Sequence, residues 1–304
     1  MRVVKVGTRQ SQLALAQTNQ IVQLLQEKNP HVSFEIVPFV TKGDRLTHVS
    51  LQEIGGKGVF VKEIEAQLLN GTIDLAVHSL KDVPSVLPDA CVLGAIPKRE
   101  DVRDCMLFKD KQMSFDSLPT GARIGTSSLR RQVQLLHKRK DVIIEALRGN
   151  IDTRVQKVMA GEYDAIVLAM AGLSRIDTLS LEQLNYELLP VHISIPAVAQ
   201  GALGLECRKE DAELRQILLT VHDEETARCV DLERYFLSLM NGDCTFPIGA
   251  YARLENNVFH FDVMLATEDM ETCHQLRYIG QNDKKLAHLA KHDLEQLGCF
   301  GMKK

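Results

Sequence analysis

A chain of 304 residues, 45% hydrophobic and 25% charged, has the composition of an ordinary globular protein of two or three domains, at about 100–200 residues per domain. Its net charge of −4 argues against broad nucleic-acid binding, and no apolar run approaches the ~18–20 residues that span a bilayer. The opening Met1-Arg2-Val3-Val4-Lys5-Val6-Gly7 reads as a short strand rather than a signal peptide, and seven cysteines without a CxxC pair fit reduced thiols and no metal site, so a soluble, cytoplasmic protein is expected.

Short β-branched runs alternate with amphipathic stretches, which predicts α/β architecture. Val3–Gly7 is a predicted strand, Ser11–Lys28 a helix and Phe34–Val40 a strand. A polar, glycine-rich stretch from Thr41 to Gly58 follows; its Gly55-Gly56-Lys57-Gly58 lacks the GK[ST] of a P-loop and suits a lid. Val59–Leu69 is then a helix, with Asp74–Val77 and Cys91–Ile96 as strands.

A second set starts near residue 121: strand Arg123–Gly125, helix Ser128–His137, strand Val142–Ile144, helix Ile151–Met159 and strand Ala165–Ala169. The sets share patterns. Gly7-Thr8-Arg9-Gln10-Ser11 and Gly125-Thr126-Ser127-Ser128 each join a strand to a helix, and Gly71-Thr72-Ile73-Asp74 resembles Gly161-Glu162-Tyr163-Asp164. Two related α/β domains are expected, covering 1–97 with 198–217 and 103–192, because Val198–Cys207 reads as a return crossing. The third, 221–304, is predicted as α+β: helix Glu224–Met240, strands Ile248–Leu254, Val258–Leu265 and Thr272–Ile279, and helix Lys284–Leu297, forming a small antiparallel sheet with helices on one face. Paired α/β domains would create a cleft with loop residues along it.

Charge is unevenly spread. Residues 121–175 hold ten Lys/Arg against five Asp/Glu, a net of +5 that leaves −9 for the rest. A basic island in an acidic chain points to a local anionic ligand. Strand–Gly-Thr–Ser–helix junctions suit anions, since the first helical N–H groups lack intrahelical partners and the dipole favours negative charge. One copy carries Arg9 and Ser11; the other carries Thr126, Ser127 and Ser128 with Arg130 and Arg131. Arg148 and Arg154 flank Gly149-Asn150, and Arg175 follows the Ala165 strand. Guanidinium forks match carboxylates, though about a third of these arginines would be expected in structural ion pairs. His78-Ser79-Leu80-Lys81-Asp82-Val83-Pro84 puts a histidine, a lysine and a carboxylate on one loop; Asp82 there serves either as an acid or as a turn cap. Cys244, in the turn Asn241-Gly242-Asp243-Cys244-Thr245-Phe246-Pro247, is either an attachment point or a buried thiol.

Together these segments resemble the hydroxymethylbilane synthase (porphobilinogen deaminase) family almost end to end. The motifs are the Gly7–Ser11, His78–Pro84 and Gly125–Arg131 segments, Arg148-Gly149-Asn150-Ile151-Asp152-Thr153-Arg154, Ala171-Gly172-Leu173, Pro196-Ala197-Val198-Ala199-Gln200-Gly201-Ala202 and the Cys244 turn, in the family's order. Two positions depart from its pattern: Asp243 precedes the cysteine where glycine is usual, and Ala199 stands for a glycine. The resemblance implies two domains like a type-II periplasmic binding protein plus the C-terminal α+β domain, and a cytoplasmic transferase of tetrapyrrole (haem) biosynthesis. A dipyrromethane cofactor would be joined to Cys244 by a thioether. Four porphobilinogens would be condensed head to tail with loss of ammonia, and hydroxymethylbilane released by water. Asp82 is implied as the catalytic residue, and Arg9, Ser11, Lys57, Ser79, Lys81, Thr126, Ser127, Ser128, Arg130, Arg131, Arg148, Gly149, Arg154, Arg175 and Gln200 as binders of cofactor and growing polypyrrole. No membrane or nucleic-acid partner is implied, and a monomer is expected. The alternative is a non-catalytic carboxylate-binding protein or sensor with the same two-domain cleft.

Overall fold

The computed structural model describes residues 2–40, 58–176, 181–241, 246–267 and 269–299. The expected lid from Thr41 to Lys57, and Asp243 with Cys244, lie outside the described residues. In chain order the elements are β1 (Arg2–Arg9), α1 (Gln12–Lys28), β2 (Val32–Phe39), α2 (Gly58–Leu69), β3 (Leu75–Ser79), a 3-10 turn (Leu80–Asp82), β4 (Cys91–Ala95), β5 (Asp104–Phe108), β6 (Arg123–Gly125), α3 (Leu129–Lys138), β7 (Ile143–Glu145), α4 (Ile151–Met159), β8 (Ala165–Ala169), α5 (Met170–Leu173), β9 (Asn185–Leu188), β10 (Leu203–Arg208), α6 (Ala212–Leu219), α7 (Glu224–Leu239), β11 (Ile248–Glu255), β12 (Val258–Ala266), β13 (Cys273–Gly280) and α8 (Asp283–Gln296). Helix starts follow capping chemistry: Ser11, Asn150, Asp211 and Asn282 each accept a backbone N–H three residues on.

The chain divides into two compact units, Met1–Glu100 with Gly201–Arg228 and Asp101–Gln200 with Cys229–Lys304. Unit 1 holds a five-stranded sheet in the order β2-β1-β3-β10-β4. Its β1 runs parallel to β2 and β3, whereas β10 is antiparallel to both neighbours. Helices cover both faces. Val4, Val6, Ile21, Leu25, Leu75, Val77 and Leu205 fill one side, and Ile64, Leu68, Ile73 and Ala76 the other.

Unit 2 repeats this plan in the order β7-β6-β8-β5-β9, with β5 the antiparallel strand in fourth place. The repeat is atomic as well as topological. Asp74 accepts from Lys5 N–H at 3.0 Å and Asp164 from Arg123 N–H at 2.7 Å, locking the start of β3 and β8 to β1 and β6. A Cβ on Gly7 would meet Ile73 at 2.2 Å, and one on Gly125 would meet Tyr163 at 2.9 Å, so the glycine ending each first strand makes room for the residue before each aspartate. These are the two sets read in the sequence. In each sheet the fourth strand is the first that the chain forms after leaving the other unit.

Unit 2 also contains the antiparallel sheet β11-β12-β13. Asn256 and Asn257, with φ of 53° and 65°, close the β11–β12 hairpin as a two-residue turn that needs positive φ at both positions. The helices of residues 221–304 themselves lie on one face, as expected: Tyr278, opposite Phe261 in the β12–β13 register, donates to Asp293 of α8 at 2.9 Å. Phe261 meets Phe236 of α7 edge to face, while Met264, on the opposite face by alternation, packs with Val133 of α3. Gln134 of α3 accepts from Gln275 of β13 at 3.0 Å, so this sheet is covered on both sides. Ala199 adopts φ 58°, the left-handed region where glycine costs least, which explains the family's usual glycine there; its N–H donates to buried Glu233 at 2.6 Å.

Candidate functional site

In unit 1 the sequence-named residues cluster at strand ends. Arg9 ends β1, and Ser11 caps α1 with its hydroxyl 3.4 Å from Ala14 N. Ser79 ends β3, its hydroxyl paired with the side-chain amide of Gln17 at 2.9 and 3.1 Å. Lys81 and Asp82 occupy the 3-10 turn that follows, half-buried. The turn is bound to β10, for Leu80 N–H donates to the Ala202 carbonyl at 3.0 Å. His78 is buried against Glu206, 2.9 Å from its carboxylate.

In unit 2 the basic island resolves into two different things. The first is a buried ion cluster. Arg130 donates to both oxygens of Asp104, at 2.8 and 3.2 Å, and to the Ile195 carbonyl at 2.6 Å. Arg131 donates to Asp104 Oδ1 through Nε and Nη2, at 3.0 and 2.8 Å, and to the Val167 carbonyl at 2.8 Å. Ser194 and Gln200 complete the shell, at 2.6 and 2.9 Å. Burial alone would raise the Asp104 carboxyl, but Arg130 and Arg131 hold it well below the usual carboxylate range. Arg130 thus serves as an internal strut, and Gln200 reaches the same carboxylate.

The second is a cationic group with a surplus. Burial, together with the positive charges of Arg131 and Arg148, lowers the Arg154 guanidinium to about 10. A cation pushed down by burial and by two like charges is one that an anion would relieve. Local structure fixes it there. Asn150 caps α4 at 2.9 Å from Thr153 N, and Arg154 Nε donates to the Gly149 carbonyl at 2.8 Å. Gly149 has φ 115°, and a Cβ there would meet Thr153 at 2.8 Å, so only glycine turns the chain between the two arginines. Thr126 is buried and accepts from Ser128 N at 3.2 Å. Ser127 is locked to Leu147 by two hydrogen bonds at 2.9 and 3.0 Å. Ser128 starts α3 without a side-chain cap bond, so its hydroxyl is not used on its own helix. Arg175 follows α5, half-buried. Lys57 and Cys244 lie outside the described residues.

Sequence reasoning missed Asp104 and Ser194. Asp104 sits among Glu100, Asp101 and Arg103, and nothing local marks it as the one that enters the core. The missed signal was the fully apolar Cys105-Met106-Leu107-Phe108 behind it.

Two family models match, "Porphobilinogen deaminase, dipyromethane cofactor binding domain" over residues 4–216 and "Porphobilinogen deaminase, C-terminal domain" over 227–297. A porphobilinogen deaminase of Streptococcus sanguinis (strain SK36) is 53% identical over 302 residues, 99% of this chain and 98% of the relative. One of Listeria monocytogenes serotype 4a (strain HCC23) is 46% identical over 298 residues, covering 98% and 96%. Among solved structures, the Bordetella pertussis BvgS periplasmic VFT2 domain aligns at 16% identity and TM-score 0.42, covering 72% of this chain and 86% of that one. With family models spanning both α/β sheets and the C-terminal sheet, and relatives matching nearly end to end, the chain belongs to the porphobilinogen deaminase family.

Proposed function

We infer that the chain is a hydroxymethylbilane synthase, a transferase that condenses four porphobilinogens head to tail with loss of ammonia and releases the linear tetrapyrrole to water. The carrying observation is the Arg131–Arg148–Arg154 group. Each porphobilinogen brings an acetate and a propionate, and Arg154, lowered by burial and by the like charges of Arg131 and Arg148, suits a carboxylate in bidentate geometry. Arg131 is aimed from beneath by Asp104, which takes two of its five N–H donors, while a third reaches Val167.

The same surplus fits the acidic side chains of a dipyrromethane. When bound, that group supplies the primer from which the polypyrrole grows. Arg131, Arg148, Arg154 and Ser128 would hold it, with Arg9, Ser11, Lys57, Ser79, Lys81 and Arg175 serving carboxylates along the chain. We place its attachment at Cys244. The six cysteines among the described residues are buried, and burial pushes Cys91, Cys105 and Cys273 up to about 12, a poor state for a thiolate nucleophile. Asp82 is assigned to stabilise the cation that develops on substrate as ammonia leaves, and to move protons there. The domains we assign are 1–97 with 198–217, 103–192, and 221–304 as the anchoring domain. We further propose that the protein works as a cytoplasmic monomer. Among the described residues no helix is long and apolar enough to cross a membrane, and the buried thiols suit a reducing compartment.

The test is turnover of porphobilinogen by the purified protein. One ammonia per porphobilinogen and a linear tetrapyrrole as the first product are expected; binding of porphobilinogen without ammonia release would replace the enzyme with a sensor.

A further inference from the structure

A polar cluster lies inside unit 1, between α2 and the sheet, where the rest of the layer is apolar. Glu206 on β10 is fully buried, and its Oε2 lies 2.9 Å from Nε2 of buried His78 on β3. Its Oε1 is buried without a hydrogen-bond partner among the described residues. Glu65 on α2 is 6% exposed; burial raises its carboxyl, Glu206 raises it further, and His78 and Lys62 act the other way. Cys91 on β4 is pushed up by burial and by Glu206.

Such a cluster is not a stability device. Burying a carboxylate costs several kcal/mol, and apolar residues of similar volume commonly serve a core as well or better. Its position in the sheet shows what it does. In the β3–β10 register His78 faces Gly204 and Ser79 faces Leu203, and the ladder continues into the turn through Leu80 N–H to Ala202. A Cβ on Gly204 would meet Leu80 Cδ1 at 2.7 Å, so the absent side chain is where the first residue of the turn is seated. Glu206 therefore grips β3 one residue before Ser79, at the point from which the Leu80–Asp82 turn departs.

We propose that Glu206 is a positioning residue for the reaction: through His78 it fixes the end of β3, and so the direction in which the next turn presents Asp82. The proposal rests on the reading of Asp82 as the catalytic carboxylate. It is tested by steady-state kinetics of the holoenzyme with porphobilinogen, for wild type, E206Q, D82E and the double variant. D82E keeps a carboxylate but moves it. E206Q is expected to lose about ten- to hundredfold in kcat with KM within about twofold, since a displacement of about 1 Å at the reacting group has that scale. In the D82E background the same change should cost less than about twofold, because both act on the placement of one carboxylate. Wild-type kcat in folded E206Q, a loss confined to KM, or losses that multiply in the double variant would overturn the proposal. Should E206Q fail to fold, H78Q carries the same cycle with the same outcomes. An inactive wild type would instead remove the reaction assigned to Asp82, which separates the two failures.

Discussion

Arg130 and Arg154 belong to one basic island and do opposite work. Burial lowers both guanidinium groups, but Arg130 spends its donors internally on Asp104, which raises it again, whereas the neighbouring charges of Arg131 and Arg148 lower Arg154 further. Replacing Arg154 with Leu should reduce kcat/KM about ten- to hundredfold, the scale of one or two charge-assisted hydrogen bonds. Kinetics in rising salt check it: the gap from wild type should narrow as the carboxylate contact is screened. Asp104→Asn should instead destabilise by about 3–5 kcal/mol in urea unfolding, because two buried guanidinium groups lose their shared counter-ion. The folded Asp104 carboxyl lies below its unfolded value of about 3.9, so its contribution is present above that pH and lost as pH falls below it. Asp82→Asn should lower kcat about 10²–10³-fold with little change in unfolding midpoint, since no carboxylate then faces the developing cation.

At the scale of elements, the duplicated sheets were legible because β-branched strands, strand-end glycines and the paired Gly-x-x-Asp turns repeat in the sequence. Strand β5 was not: all five of its residues are buried, so it lacks the alternation that marks a half-exposed strand, and it opens with an aspartate. The double coverage of the C-terminal sheet was also hidden, because Val133 and Met264 meet only through tertiary packing. The arginine set was legible as composition, but its division into strut and anion group depends on where Asp104 goes, a choice made by contacts 26 and 27 residues away. Gly204→Ala should cost about 1–3 kcal/mol by crowding Leu80 and Leu93, read from thermal unfolding. Glu65→Gln should raise the melting temperature at neutral pH and leave it unchanged well below pH ~4. The folded Glu65 carboxyl lies above its unfolded value, so the native state loses stability as pH rises through that window, and the amide removes the loss.

For the whole molecule, a chain of net charge −4 concentrates its positive charge in one segment of unit 2, and that segment supplies Arg131, Arg148 and Arg154. The fold repeats one sheet plan twice and adds a third sheet, and the family models cover all three. The arginine group follows from physical chemistry in the structure, while Cys244 is assigned from the family pattern and from the burial of the other six thiols. The most direct measurement is the intact mass of the protein purified from cells that make porphobilinogen. An excess equal to two linked pyrrole units, absent in Cys244→Ser, is the predicted result; a folded wild-type chain at its unmodified mass would contradict the account.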